Sequence, residues 1–518
     1  MGLNTLFQAD WAAFTLRIGV KSLPFWAKGL LLYIFCFAVL SFLIFAAPGF
    51  FGTDDYYHAR IATQIIEQGR LNLSFPWLPK TILSPEQFTD HHLLYHLYIA
   101  PWTYAFGMTG AKLATVSITA GIFAAAWALL RGMGVRYAAF WTLALFGASV
   151  PFLYRLLMIR TQGASLLLLI ITLHLIFTRR WRWLILAAFA YAWLYNGFVL
   201  IVAFAGLYTV ATWIAEKRLA WQPVMYTALG VGLGLVINPY FPQNILFITD
   251  HLGAKVDIEN SVRVGSEWYP YTTGALLANS GGALLALALG FLAPSFGSHR
   301  RDRIENTLLF TALLTLFMVF RSRRFIEYFP AFAVLFCAVV WGRNPVRLNE
   351  WLPAVFRSRW LVALGAAAVM GIFSITTVSQ VYRDAQASRS PEYLAGAATW
   401  LRENTPPGTF VFQTDWDDFT RLFYYNTSST YLVGLDPTYL EIADPALWDR
   451  WVHITQGKVS SPAQVIWSEF GAAYIVSDRQ HDRFIERAND DPNMELVYQD
   501  QYSYVWHLSE AVTASSRE

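Results

Sequence analysis

KGLLLYIFCFAVLSFLIFAAPGF, residues 28–50, runs directly into FGTDDYYHAR, residues 51–60. The first block carries one charge, Lys28 at its edge, and is long enough to cross roughly 30 Å of hydrocarbon as a helix that satisfies its own backbone hydrogen bonds. The second block opens a helix-like segment with Ile61, Ile65 and Ile66 on one side and places Asp54 and Asp55 at its start, directly beside the membrane. A membrane span that ends in an acidic helix start sets the frame for the remaining sequence.

The apolar pattern recurs along the chain. Of its 518 residues 56% are hydrophobic, 17% aromatic and only 14% charged, more apolar surface than one soluble core can hide, so a bilayer must take up the excess. About eleven spans are legible: 28–50, 111–131, 136–153, 162–178, 181–195, 197–215, 222–240, 273–295, 306–320, 325–342 and 359–381. The stretch 92–107 is apolar but short and rich in Tyr and His, which suits either an additional span or a helix half-sunk in the interface. The fold class is therefore a polytopic α-helical membrane protein of about 11 to 13 transmembrane helices. At about residue 385 charged residues, Pro and turn signals replace the apolar runs, and a soluble α/β domain follows. It has a helix near 391–403, strands at 409–413 and 473–477, and a helix from about 479.

Charge sets the expected orientation. If 92–107 does not cross, Arg131, Arg136, Arg179, Arg180, Arg182, Lys217, Arg218, His299, Arg300, Arg301, Arg303, Arg343 and Arg347 all fall on the N-terminal, cytoplasmic side. Residues 1–26, amphipathic with Asp10, Arg17 and Lys21 and without a short cleavable signal, lie along that surface. The transmembrane domain covers 27–384, with outer loops 51–110 and 241–272, and the soluble domain 385–518 is extracytoplasmic in a plasma membrane. A net charge of +3 argues against a nucleic-acid partner. Cys36 and Cys337, each inside an apolar run, read as inert buried thiols. One cluster breaks the charge rule, because Arg321, Arg323 and Arg324 fall at the outer end of a span.

Four polar segments gather on the outer side. In Thr53-Asp54-Asp55-Tyr56-Tyr57-His58-Ala59-Arg60 the plain role of the acids is helix capping. The chemical role is ligation of Mg²⁺ or Mn²⁺, hard ions that take carboxylate oxygens close to a docking phosphate. Thr89-Asp90-His91-His92-Leu93-Leu94-Tyr95-His96 either anchors the segment among lipid headgroups or uses Asp90 and His91 for metal or protons. Ser261 to Pro270 carries Glu267 beside aromatic residues just ahead of a span. Arg321-Ser322-Arg323-Arg324 offers planar guanidinium groups suited to bidentate phosphate binding.

In pattern and order these residues resemble the catalytic subunit of oligosaccharyltransferase, within the GT-C superfamily of membrane glycosyltransferases, over roughly residues 28–435. Asp54, Tyr56, Tyr57 and Arg60 match its motif after the first span, with His58 similar to the archaeal version. Ser266 and Glu267 match the end of its outer loop, and the arginine triplet its late outward Arg; Phe152-Leu153-Tyr154-Arg155 is similar to the basic residue before its second acidic motif. That second acidic pair is replaced by Arg160-Thr161-Gln162-Gly163, and Thr414-Asp415-Trp416-Asp417-Asp418-Phe419 only partly matches its acceptor-binding motif.

The resemblance implies a polyprenyl-linked sugar donor and a protein or glycan acceptor, with membrane lipids around the site. It implies a catalytic set of Asp54, Glu267 and Asp90 and a metal, Mg²⁺ or Mn²⁺, on Asp54, Asp90, His91 and Glu267. Donor phosphate would meet Arg155, Arg321, Arg323 and Arg324, and the acceptor Trp416, Asp417 and Asp418. Asp55, Tyr56, His58, Arg60, His92, Arg160 and Gln162 are further candidates. Because Gln162 stands where a metal-binding Asp is expected, either Asp90 and His91 complete the coordination or metal dependence is weakened. A GT-C transferase using a polyprenyl monophosphate sugar on a lipid or polysaccharide, a lipid-linked glycan transporter, and an inactive scaffold are the competing readings.

Overall fold

The computed structural model describes residues 23–256, 266–292, 300–343 and 359–514. The N-terminal segment therefore lies almost wholly outside the described residues, as do 257–265 of the second outer loop and the basic residues His299 and Arg347.

Each expected apolar stretch contains a helix. In chain order the helices are α1 (Phe25–Ile44), α2 (Asp54–Gln68), α3 (Leu93–Gly132), α4 (Ala138–Leu143), α5 (Val150–Leu156), α6 (Thr161–Phe177) and α7 (Trp183–Leu194). They continue with α8 (Val199–Glu216), α9 (Gln222–Val236), α10 (Gln243–Val256), α11 (Thr273–Leu292), α12 (Arg303–Arg321), α13 (Phe329–Arg343) and α14 (Arg359–Gln386). By length and composition six are able to cross a membrane, those of α1, α3, α8, α11, α12 and α14, and the bent pair α4–α5 makes a seventh. Among the described residues α6, α7, α9 and α13 are apolar as well but shorter, and with those seven they account for the eleven apolar stretches of the sequence. Burial along nearly all of α13 shows such a helix held by its neighbours rather than by lipid.

Two stretches depart from straight spans. The one read at 136–153 is broken, with α4 and its 3₁₀ continuation meeting α5 at a bend of 95°. A break inside a bundle frees backbone groups that need partners. Here the Ala283 N–H donates to the Ala148 carbonyl at 2.8 Å, the Ser149 side chain accepts from the Phe152 N–H, and Ser149 Oγ meets Ser280 Oγ at 2.9 Å. The bend turns α5 so that Arg155, near its end, reaches the polar cavity described below. The second departure lies in α3, where Gly107 at φ 54 breaks the helix. Tyr98 Oη then reaches the Ala114 carbonyl at 3.2 Å, sixteen residues on, whereas a straight helix would separate those positions by about 24 Å. The stretch 92–107 thus folds back against the span that follows it.

The bundle is polarised. α6 starts beside Arg160, α8 follows Gly197, and the α12–α13 turn carries Arg324, all three residues lining one cavity. The opposite ends of these helices carry Arg179 and Arg180, Lys217, Arg303 and Arg343. Those ends are tied together, Arg303 to Glu216 and Arg343 Nη2 to Asp302 Oδ2 at 2.8 Å.

Beyond α14 the chain forms α15 (Ala395–Asn404), β1 (Phe410–Gln413), α16 (Phe419–Tyr425), β2 (Thr430–Tyr431), α17 (Thr438–Ala443), α18 (Pro445–Thr455), β3 (Tyr474–Asp478), α19 (Asp482–Asp490), β4 (Met494–Gln499) and β5 (Ser503–Leu508), with shorter helices between. The sheet order is β2-β1-β3-β5-β4, parallel across β2, β1 and β3 and antiparallel at β5 and β4. The expected helices and strands appear near 395, 410, 474 and 482; β2, β4 and β5 are additions. Alternation sends Phe412, Ile475 and Trp506 into one core and Val411, Val476 and Val505 into another. That second core also contains Phe75, Trp77 and Leu78 of the first outer loop. Trp77 closes the β2 edge, its carbonyl accepting from the Tyr431 N–H and its Nε1 donating to the Thr427 carbonyl, both at 2.8 Å. Domain and membrane loop are therefore one packed unit.

A Cβ placed on Gly282 would lie 2.1 Å from the Gly147 carbonyl oxygen at the α4–α5 break. Gly282→Val is expected to cost about 1–3 kcal/mol through overpacking and to lower the thermal unfolding midpoint in detergent, whereas Gly232→Ala, facing open space inside a helix, does not lower it.

Candidate active site

The turn before α2 divides the work of its two acids. Asp55 is fully buried and its Oδ2 accepts from the Gly52 N–H at 3.0 Å, which fixes the turn; burial pushes its carboxyl up to about 6. Asp54, in the first turn of α2, faces a cavity of about 580 Å³. Arg155, Arg160, Glu267, Arg324, His58 and Asp417 line the same cavity.

A chain of ion pairs runs across it. Arg160, in extended backbone at the start of α6, donates Nη2 to Asp54 Oδ2 at 2.5 Å and Nη1 to Glu267 Oε2 at 2.9 Å. Arg155 donates Nη2 to the same Glu267 oxygen at 3.0 Å and Nε to Glu327 Oε1 at 2.5 Å. Arg324 lies over the Trp268 ring at 4.4 Å and stands 3.9 Å from Glu267 Oε1. Burial raises the Glu267 carboxyl, but Arg160, Arg324 and Arg155 outweigh it and hold the group well below the usual carboxylate range. Asp54, Glu267 and Glu327 each have a guanidinium partner, and burial pushes the Asp54 and Glu327 carboxyls up.

Behind the His58 wall is a buried relay. His58 Nδ1 meets His96 Nε2 at 2.7 Å, and His96 Nδ1 meets Asp90 Oδ2 at 2.7 Å. Burial, with His96 and Arg160 nearby, lowers the His58 pKa well below its ordinary value and keeps the ring neutral. The soluble domain supplies the opposite wall with Trp416, Asp417, Leu435, Asp436, Pro437 and Tyr439. Thr53 Oγ1 donates to Asp417 Oδ1 at 3.0 Å, and burial together with the charge of Asp54 pushes that carboxyl up to about 6.

The sequence candidates divide on this geometry. Asp54, His58, His91, His92, Arg155, Arg160, Glu267, Arg324, Trp416 and Asp417 line the cavity. Asp90 does not: its Oδ1 accepts from the His92 N–H at 3.0 Å and its Oδ2 is held by His96. Of the arginine triplet only Arg324 enters. Arg321 is exposed at the end of α12, and Arg323 donates to the Tyr269 and Pro270 carbonyls at 3.1 Å each. Gln162 and Asp418 are buried outside the cavity lining. Tyr56 lies beneath the Arg421 guanidinium at 4.3 Å, and Arg60 donates to Thr427 Oγ1 at 3.2 Å, so both serve the contact with the soluble domain. Glu327 was missed because it sits inside a stretch read as membrane; the acid just after three arginines, in Arg-Arg-Phe-Ile-Glu, was the available signal. Asp436, also in the cavity lining, shapes the turn into α17, its Oδ1 accepting from the Thr438 N–H at 3.0 Å.

The ligand set implied for Mg²⁺ or Mn²⁺ does not assemble. With Asp90 engaged and the His91 ring stacked on Phe247, the carboxylates left facing one another are Asp54 and Glu267, and both are bound to Arg160. Among the described residues no group of three or more His, Cys, Asp or Glu side chains is placed to hold a metal ion. Such ions need only one or two carboxylates, with water and phosphate completing the shell, but here both carboxylates are already paired with Arg160.

No family model matches the chain, and no curated protein matches it by sequence. Solved structures do match. The apo oligosaccharyltransferase of Archaeoglobus fulgidus is similar over 93% of this chain and 74% of that one, at 14% identity and a TM-score of 0.59. AglB from the same organism, in complex with an inhibitory peptide and a dolichol-phosphate, covers 94% and 75% at 12% identity and 0.58. ArnT from Cupriavidus metallidurans, bound to undecaprenyl phosphate, covers 94% and 99% at 16% identity and 0.57. Similarity at this identity speaks for the fold, and together with the apolar helices it makes the chain an integral membrane protein with the fold of the GT-C, oligosaccharyltransferase-like enzymes.

Proposed function

We propose that this protein transfers a glycosyl unit from a polyprenyl phosphate or pyrophosphate donor to an acceptor at the outer face of the plasma membrane. The observation that carries the reading is the convergence of Arg155, Arg160 and Arg324 with Asp54 and Glu267 in one cavity at the end of the helical bundle. Matched proteins bound to dolichol-phosphate and undecaprenyl phosphate support a lipid phosphate as the ligand. The basic far ends of the bundle, read with the positive-inside rule, support the outer face for the site and an extracytoplasmic soluble domain.

Each side chain then has a role. Arg324, the guanidinium farthest from its carboxylate partner, meets the donor phosphate first, and Arg155 and Arg160 flank it. The bond between the anomeric carbon and the phosphate oxygen breaks, its electron pair stays on phosphate, and the guanidinium groups stabilise that charge as the sugar becomes oxocarbenium-like. The acceptor atom bonds to the anomeric carbon and gives its proton to Asp54, while Glu267 keeps the arginines in position. Trp416 and Asp417 offer the acceptor an aromatic face and a carboxylate. Because Asp418 is buried away from the cavity, this wall favours a glycan or lipid acceptor over a peptide, the second reading of the site.

Incubation of the purified protein with a panel of polyprenyl-linked sugars tests the reading. Asp54→Asn should abolish transfer without changing thermal stability, and transfer at the wild-type rate by that variant would refute its role. Arg324→Ala should weaken undecaprenyl phosphate binding by about ten- to a hundred-fold, as loss of a charge-assisted contact requires.

Asp417 carries a pH signature. Its folded-state pKa of about 6 exceeds the ordinary 3.8, so its contribution to stability is complete below about pH 4 and is lost as pH rises through 6. The loss reaches at most about 3 kcal/mol. Asp417→Asn should therefore raise the unfolding midpoint at pH 8 and leave it unchanged at pH 4. An equal shift at both values would contradict the assignment.

A further inference from the structure

We propose that Arg160 is the built-in cation of this site, its guanidinium taking the place between Asp54 and Glu267 that a divalent ion would occupy. The inference rests on the glycosyltransferase reading only in naming the anion that the site accepts.

Three observations support it. Asp54 and Glu267 come from separate extramembrane segments and are bridged by the two terminal nitrogens of one guanidinium, at 2.5 and 2.9 Å. Arg160 is 10% exposed and springs from the residue immediately before α6, so the bridge is anchored to a helix end. The residue two positions on, at which a carboxylate would widen the ligand set, is Gln162, and it is buried outside the cavity lining. Pairing gives the physical reason. Asp54 and Glu267 already accept from Arg160, and Glu267 from Arg155 as well, so a doubly charged ion would have to displace a charge-assisted contact to reach them. Any ion seated on Asp54 and Glu267 would also face Arg160 at close range. A guanidinium keeps its charge at every accessible pH and presents a planar fork that matches both carboxylate and phosphate.

The test is a Mn²⁺ titration of the whole purified protein in detergent, followed by the electron paramagnetic resonance of free Mn²⁺. Wild type and Asp54→Asn should leave the free signal alike, with no stoichiometric uptake. Arg160→Met, which strips the bridge from the carboxylates, should raise Mn²⁺ affinity by about tenfold or more. Arg160→Lys, which keeps the charge, should behave as wild type. One Mn²⁺ taken up per wild-type chain and lost in Asp54→Asn would overturn the proposal. A folded Arg160→Met that binds no better than wild type would overturn it as well. If Arg160→Met fails to fold, the comparison of wild type with Asp54→Asn decides alone. In parallel, undecaprenyl phosphate binding should be unchanged by a chelator, and a loss of binding on chelation counts against the proposal. Because the Mn²⁺ titration reads the cation site whether or not sugar transfer is found, its failure is distinct from failure of the glycosyltransferase reading.

Discussion

Arg160 reaches Asp54 with one nitrogen and Glu267 with the other, and the placement of the surrounding elements can be followed from that pair of contacts. Charges removed from water are tolerated only when paired and hydrogen-bonded, and removing one partner leaves the other as an uncompensated cost. The first outer turn, the start of α6 and the loop before α11 must therefore meet at one point. Arg155 extends the same network to Glu327, which fixes the α12–α13 turn, and the bend of 95° between α4 and α5 is what delivers Arg155 there. Helices that would otherwise slide along one another in lipid are held in register by this polar knot at one end and by the Arg303–Glu216 and Arg343–Asp302 pairs at the other.

The cavity is completed from above. Trp77 extends the soluble sheet at its β2 edge, Arg421 lies over Tyr56, and Thr53 binds Asp417, so the C-terminal domain is built onto the first outer loop rather than tethered beside it. Trp416 and Asp417 of the soluble domain and Arg324 of the bundle therefore line one shared cavity.

Much of this was legible in the sequence because hydrocarbon thickness leaves a plain signature: the apolar runs located the helices, and the acids and arginines between them located Asp54, Glu267 and Arg324. What stayed hidden depends on side-chain partners. Asp90 has the residue type of a ligand, yet spends both oxygens on His96 and the His92 N–H. Arg323 is as basic as Arg324 but is turned toward the Tyr269 and Pro270 carbonyls. Arg160 read as a departure from an acidic motif, and only its contacts show it to be the centre of the network. The broken span at 136–153 escaped because Ala148 and Ser149 are small enough to pass inside a helix, and the break shows only in the close packing of Gly282, on another helix, against the Gly147 carbonyl.

The account is tested most directly by a cryo-EM map of the protein in lipid nanodiscs supplied with undecaprenyl phosphate. It predicts phosphate density within hydrogen-bond reach of Arg324, beside Arg155 and Arg160. Density instead at the opposite end of the bundle, beside Arg303 and Arg343, with the cavity empty of lipid phosphate, would contradict it.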